Sequence, residues 1–232
     1  IRAMGGEAVA SLDSVATPDG AQAIVRTALD AFGQVDILIH SGGKAEYAPT
    51  AVMPLEMFDR TIQHYLRAPF ALVQKVVPEM RKRGAGWIVV LGSVTAQPPG
   101  RPYDEWATYG GATVYAAIKA AVHRMTQGLA AELLPDNIAV NTLAPSTAIR
   151  TPGASDLIPE EYPSERIEYI VETGLALCHR PAKERTGLTA YSLHFPLAHK
   201  LPVHTLDGRE RIEDPVIPPY AHPAIVASGE GS

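Results

Sequence analysis

Val35-Asp36-Ile37-Leu38-Ile39-His40, with Gly33 before it and Ser41-Gly42-Gly43 after it, is the stretch that decides the fold. A mostly apolar run without polar alternation, bounded by turn residues, is the pattern of a strand buried on both faces of a parallel sheet. Gly86-Trp-Ile-Val-Val-Leu91 and Ile138-Ala-Val-Asn-Thr-Leu143 repeat it. Between these runs lie segments of helical period. Gly20–Phe32 carries Ala21, Ile24, Val25, Ala28 and Phe32 and is closed by Gly33. Pro54–Arg83 carries Phe58, Ile62, Tyr65, Leu66, Phe70, Val73, Val77 and Met80, with Pro69 and Pro78 as expected kinks, and Ala112–Leu134 carries Ile118, Val122, Met125, Leu129 and Leu133. Outward from this centre, Val9–Leu12 is expected as a short strand ending at Asp13, Glu165–His179 as a helix and Thr186–Leu193 as a strand. Pro145–Pro163 has no lasting period and is expected as a long functional loop, and Asp214–Ser232 as a loose or wrapping tail.

Strands alternating with helices require crossover connections, hence an α/β, doubly wound, Rossmann-type parallel sheet with helices on both faces. The expectation is a single domain over residues 1–195, with residues 196–232 as its proline-rich tail. Ile1-Arg-Ala-Met-Gly-Gly6 reads as the end of a helix, so upstream sequence is expected to be missing from the chain as given. The 232 residues are 46% hydrophobic and 19% charged, with a formal charge of −5, which argues against nucleic acid and membrane surfaces as partners. No apolar run approaches a membrane span. The one cysteine, Cys178, cannot form an internal disulfide and no leader is evident, so a reducing cytoplasm is the expected compartment. Met53, Met57 and Met80 are expected in packing. His194, His199 and His204 have no metal-ligand spacing, and no metal is assigned.

In doubly wound folds ligands sit at the carboxyl ends of the strands, here Ser41–Gly43, Gly92–Ser93 and Pro145–Thr151. Tyr115 and Lys119, four apart near the start of a helix, share one face. A nearby ammonium lowers a phenol's ionisation and makes it a useful acid or base, and a strand-end Ser93 hydroxyl can hydrogen-bond a substrate oxygen. Taken singly, such a Tyr–Lys pair is more often a solvated surface pair, and a post-strand serine more often a turn residue.

Several such features in the right order change the balance. Phe32-Gly-Gln-Val-Asp-Ile-Leu-Ile-His-Ser-Gly-Gly43, Gly86-Trp-Ile-Val-Val-Leu-Gly-Ser93, Tyr115-Ala-Ala-Ile-Lys119 and Asn137-Ile-Ala-Val-Asn-Thr-Leu-Ala-Pro145 together resemble the short-chain dehydrogenase/reductase family over about residues 1–195. The resemblance implies NAD or NADP as cofactor and reversible interconversion of a secondary alcohol and a carbonyl. It implies Tyr115 as general acid/base, Ser93 as the group that orients the substrate oxygen, and Lys119 as the group that lowers the tyrosine pKa and holds the nicotinamide ribose. It places Asp13 and Ser14 beside the adenine, Ser41, Gly42 and Gly43 against the cofactor, and Pro145, Ser146 and Thr151 along the nicotinamide face.

The departures are specific. The family's glycine-rich phosphate loop, its first strand and most of its second are missing, and with them the residue that chooses between NAD and NADP. His40-Ser41-Gly42-Gly43 replaces the usual Asn-Asn-Ala-Gly; His40 is either a substituted polar contact or, the favoured reading, a plain strand-end histidine. Tyr65 stands where the family often has an asparagine that holds a relay water, and is not taken as catalytic. Gln97–Gly111 contains an apparent insertion whose Tyr103, Trp106 and Tyr109 either wall the substrate or pack the loop. Pro145-Ser146 replaces Pro-Gly.

A non-catalytic relative acting as a binding or scaffold protein is the alternative reading, and epimerisation or dehydration a third, disfavoured by the short substrate region. The substrate is a small carbonyl or alcohol compound under a lid containing Leu157, Ile158, Tyr162 and Tyr169, which weakly favours an apolar one. A homo-tetramer or homo-dimer built on the two long helices is expected from the family.

Overall fold

The computed structural model describes residues 1–155, 158 and 160–226. Its centre is a four-stranded, wholly parallel sheet in the order β1 (Ile37–His40), β2 (Gly86–Leu91), β3 (Ile138–Ala144), β4 (Thr189–Tyr191). Ile39 pairs with Val89, Val89 with Asn141, and Leu143 with Ala190. The expected α/β, doubly wound architecture is therefore present.

Helices cover both faces. On one side α1 (Pro18–Phe32), α3 (Ala68–Arg83) and α5 (Thr113–Leu133) supply Ala21, Val25, Val76, Met80, Val122 and Leu133 to a core that takes Ile88 and Val90 from β2. The intervening Val89 points the other way, with Leu143, Leu177 and Phe195, under α6 (Ile167–Ala176) and α7 (His194–His199). Alternate side chains of one apolar strand thus feed two cores, which is why these runs show no polar alternation. Asn141, fully buried on β3, is satisfied by the chain leading to β4: its amide donates to the Arg185 carbonyl and its oxygen accepts from Leu188 N–H.

The expected helices form with sharper ends than periodicity gives. Thr17 caps α1, accepting from Gly20 N–H, with Pro18 in the first turn and Gly33 closing it at φ 75°. Pro54–Arg83 is broken into α2 (Leu55–Ile62), a π turn at Gln63–Arg67, and α3. Pro69 has no N–H for the carbonyl of Tyr65 and its ring crowds that group; immediately before it the backbone widens, and Ala68 N–H donates to Gln63.

Two expectations are corrected. Val9–Leu12 forms no strand; Leu12 is 99% exposed. A strand needs a hydrogen-bonded neighbour, and among the described residues no strand pairs with the outer edge of β1, where Ile37 and Ile39 remain 42% and 54% exposed. The strand expected at Thr186–Leu193 shrinks to Thr189–Tyr191, because the Thr186 hydroxyl and Gly187 N–H join β3 as loop contacts and His194 already begins α7. The apparent insertion contains a short helix, α4 (Glu105–Tyr109), capped by Asp104 Oδ1 on Ala107 N–H at 2.7 Å.

Beyond residue 195, Val203 is buried with Tyr169 and Leu193, His204 bridges Arg211, and Ile225 packs with Tyr191 and Ala144. Among the described residues no helix is long and apolar enough to cross a membrane.

Candidate active site at the strand ends

β2 ends at Leu91 and hands the chain to Gly92 and Ser93, while α5 begins at Thr113 and brings Tyr115, Lys119 and His123, spaced by four, along one side. Gly92 is required here, since a Cβ would collide with the His123 imidazole and the Thr142 methyl. His123 Nε2 accepts the Ser93 N–H at 3.3 Å, which holds the serine against α5. Ser93 Oγ is buried, 2.8 Å from the Thr95 hydroxyl and 3.2 Å from Thr95 N–H, which it caps.

Tyr115 lies edge-on to two other tyrosines, Tyr47 at 5.4 Å and Tyr65 at 5.3 Å between ring centroids. Tyr47 in turn meets Trp106 of α4 edge-on at 5.6 Å. The insertion therefore packs its tryptophan on the aromatic wall behind Tyr115, whereas Tyr103 lies under Arg101 and Tyr109 is exposed. Lys119 is 3% exposed and its ammonium donates to the Leu91 carbonyl at 2.7 Å. The same Nζ lies 4.3 Å from the centroid of the Tyr65 ring and 5.6 Å from that of Tyr115. Gly43 is at φ 153° and a Cβ there would strike the Tyr65 ring, so the ring rests on the backbone at the end of β1. Ser93, Tyr115, Lys119 and Gly43 thus meet in one crevice, joined by Tyr47, Tyr65, His40 and His123.

The electrostatics differ from expectation. Tyr115 is pushed above the ordinary phenol range, first by burial and then by its two tyrosine neighbours, with a Ser93 side-chain hydrogen bond acting against this. Lys119 does not lower it in this state, because burial has brought the lysine itself down to about 7. His40 and His123 are each lowered to about 4, by burial and then by Lys119. His40 Nε2, deeply buried, has no hydrogen-bond partner.

The other expected residues divide. Ser41 and Gly42 form an open ledge after β1, with nothing within 4 Å of a Cβ at Gly42. Asp13 accepts from the Ser11 hydroxyl, and Ser14 caps the turn into α1 through Ala16 N–H. That turn is tied to the π turn by Gln63 Nε2 on the Ala16 carbonyl at 3.1 Å. Pro145 and Thr151 flank the loop after β3. Ser146 is buried, its N–H donates to Ser192 Oγ, and its hydroxyl meets His194 Nδ1 at 3.0 Å and accepts from Leu193 N–H at 3.0 Å. It ties β3 to the start of α7.

Of the residues expected in a lid, Tyr169 is buried and donates to the Glu213 carbonyl at 3.3 Å, while Tyr162 is exposed at the surface. Leu157 lies outside the described residues. Among the described residues no group of three or more His, Cys, Asp or Glu side chains could hold a metal. Sequence reasoning missed His123, although its spacing of four from Lys119 was a usable signal, and Tyr47, for which there was none.

Comparison with known proteins fits this geometry. The family model for short chain dehydrogenase matches residues 1–161. L-rhamnose 1-dehydrogenase (NAD(P)(+)) of Sphingomonas sp. (strain SKA58) is 30% identical over 162 residues, 69% of this chain and 60% of that protein. Peroxisomal multifunctional enzyme type 2 of Mus musculus is 29% identical over 189 residues, 81% of this chain and 24% of that protein. The chain therefore spans less than two thirds of the length of these relatives. Among solved structures, a 7 alpha-hydroxysteroid dehydrogenase complexed with NADH and 7-oxo glycochenodeoxycholic acid superposes with a TM-score of 0.72 at 27% identity, over 82% of this chain and 74% of that one. The family match runs through the strand-end crevice and covers well over half of the sequence, so the chain belongs to the short chain dehydrogenase family.

Proposed function

We propose that the chain belongs to an NAD(P)-dependent oxidoreductase that interconverts a secondary alcohol and a carbonyl, with Tyr115 as the general acid/base. The observation that carries this reading is the convergence of Ser93, Tyr115 and Lys119 at the ends of β2 and α5. The crevice suits a nicotinamide ribose in two respects: the ledge at Gly42 is open, and Lys119 spends one N–H on Leu91 and keeps two for ribose hydroxyls. Ser41–Gly43, Tyr115, Lys119, Pro145, Ser146 and Thr151 would hold that end of the cofactor, and Asp13 and Ser14 the adenine end. A bound nicotinamide supplies the hydride acceptor or donor.

In the oxidation direction Ser93 Oγ holds the substrate hydroxyl and the Tyr115 oxygen takes its proton as the hydride leaves the same carbon; in reduction Tyr115 returns the proton to the carbonyl oxygen. With its ammonium charged, Lys119 favours the phenolate form of Tyr115 that accepts the proton. The buried, low-dielectric setting strengthens each of these interactions and holds the phenol protonated until substrate and cofactor enter. The compounds in the relatives' names, a sugar and a steroid acid, support a hydroxylated small molecule as the class.

The reading extends to assembly and compartment. A groove of about 620 Å3 between α5 and the run from the end of α2 to the start of α3, lined by Ile62, Leu66, Phe70, Ala121 and Met125 with Arg67 and Arg124, supports a dimer or tetramer through these helices. The reading places the protein in the cytoplasm, on the ground that its one cysteine, Cys178, has no partner for an internal disulfide. Residues 196–226 are read as part of the same domain as the sheet, since Val203 and Ile225 pack into its clusters. The test is a fluorescence titration with NADH and separately NADPH: saturable micromolar binding of one is expected and fixes the cofactor. Binding of neither would overturn the reading in favour of a non-catalytic binding or scaffold protein.

A further inference from the structure

A buried ammonium is costly unless a counter-charge or a set of acceptors compensates it. Among the described residues no carboxylate lies within ion-pair distance of Lys119. It has one protein acceptor, the Leu91 carbonyl, and the groups facing it are His40 from β1, Tyr65 from the π turn, and Tyr115 and His123 from α5. Both histidines are held neutral by burial at ordinary pH, so neither offers a negative charge. What remains is the negative face of an aromatic ring, and the Tyr65 ring is the nearer, 4.3 Å from Nζ. The ring cannot easily leave, because Gly43 packs under it and Tyr115 meets its edge.

We infer that Tyr65 is a positioning residue of this site: its ring face, not its hydroxyl, seats the Lys119 ammonium in the crevice in the place of a counter-ion. A cation–π contact strengthens on desolvation, so the fold secures a usable cation beside Tyr115 without a carboxylate that would compete for the same donors. The catalytic meaning of this rests on the oxidoreductase reading; its physical content does not.

The test is the titration of Lys119, followed by carbon-13 NMR of the full chain labelled at the lysine ε-carbon. There are six lysines, so the Lys119 signal is assigned by its loss in Lys119→Met. The expected midpoint of the parent is near 7. In Tyr65→Leu it should fall by about one pH unit, the equivalent of a desolvated cation–π contact, and Tyr65→Phe, which keeps the face, should restore it. Pentafluorophenylalanine placed at 65 reverses the face potential without changing the ring's shape and should lower the midpoint likewise, which carries the test if Tyr65→Leu does not fold. Unmoved midpoints in folded Tyr65→Leu or pentafluoro protein, or a fall in Tyr65→Phe as large as in Tyr65→Leu, would overturn the inference. No cofactor is needed, so failure of NADH and NADPH to bind would sink the oxidoreductase reading alone.

Discussion

Lys119 and Glu165, the one buried and the other partly so, lie near the carboxyl ends of the strands, and desolvation drives them toward the neutral form from opposite directions. Lys119 is brought down to about 7 and Glu165, at the foot of the loop before α6, is pushed up to about 7. Their surroundings differ. Glu165 is held in a frame of hydroxyls and backbone: Ser192 Oγ donates to it at 2.8 Å, Thr147 N–H at 3.3 Å, and its own N–H donates to the Ala148 carbonyl. Lys119 has one carbonyl and two ring faces. Hydroxyls and amides that fix a carboxylate also stitch β3 to β4 and α7, through Ser146, Ser192 and His194. Ring faces fix a cation while leaving its remaining donors unspent. The first arrangement is a joint, the second a tool.

That comparison breaks most visibly at Tyr115. Tyr115→Phe should lower NADH- or NADPH-dependent reduction, assayed over a panel of small ketones, by roughly a hundredfold or more, while Glu165→Gln should stay within a few-fold. Equal losses in the two variants would erase the distinction between tool and joint.

The next largest effect is on stability. Lys119 has a folded-state pKa below its ordinary 10.5, so between about 7 and 10.5 the unfolded chain binds more protons and stability rises with pH. Lys119→Met should abolish that rise, on the order of 3 kcal/mol across the window, as read from denaturant midpoints at pH 7 and 10. For Glu165 the sign reverses: its folded-state pKa lies above 4.5, so stability falls as pH climbs from 4.5 to about 7. His40 and His123, held near 4, give a rising contribution between about 4 and 6.5, so the parent curve mixes both. The difference between Glu165→Gln and the parent isolates the carboxylate and should grow by about 2 kcal/mol in the variant's favour from pH 4.5 to 7. A flat difference would mean that Glu165 ionises as an exposed carboxylate.

The smallest effect tests the frame itself. Ser192→Ala removes the shortest donor to Glu165 and the acceptor for Ser146 N–H, and should cost about 1–2 kcal/mol, more at pH 8, where the carboxylate is charged, than at pH 5. Thermal unfolding at the two pH values reads it.

The strands Ile37–His40, Gly86–Leu91 and Ile138–Ala144 were legible because each is apolar on both faces, and a residue that must be buried on either side has few alternatives. Val9–Leu12 shows the same signal without the outcome: apolar residues announce a willingness to pair, and only a neighbour supplies the hydrogen bonds. Tyr115 and Lys119 were legible through helical spacing, as His123 would have been had that stripe been followed one step further. The partners of Ser146 were not legible, because a hydroxyl beside a strand end gives no sign of which partner it will take, and His194 arrives from forty-eight residues away.

By itself the sequence determined the alternation of strand and helix, the doubly wound parallel sheet and the strand ends at which polar side chains gather, because periodicity and chain order act locally. Only the tertiary structure decided what those side chains do to one another. It set Tyr65 over Lys119, Trp106 behind Tyr47, and Glu165 among hydroxyls, and it reversed the expected shift of Tyr115. Ionisation and cation–π contact depend on solvent exclusion and on distances of a few ångströms between residues far apart in the chain, quantities that do not exist until the chain has closed on itself.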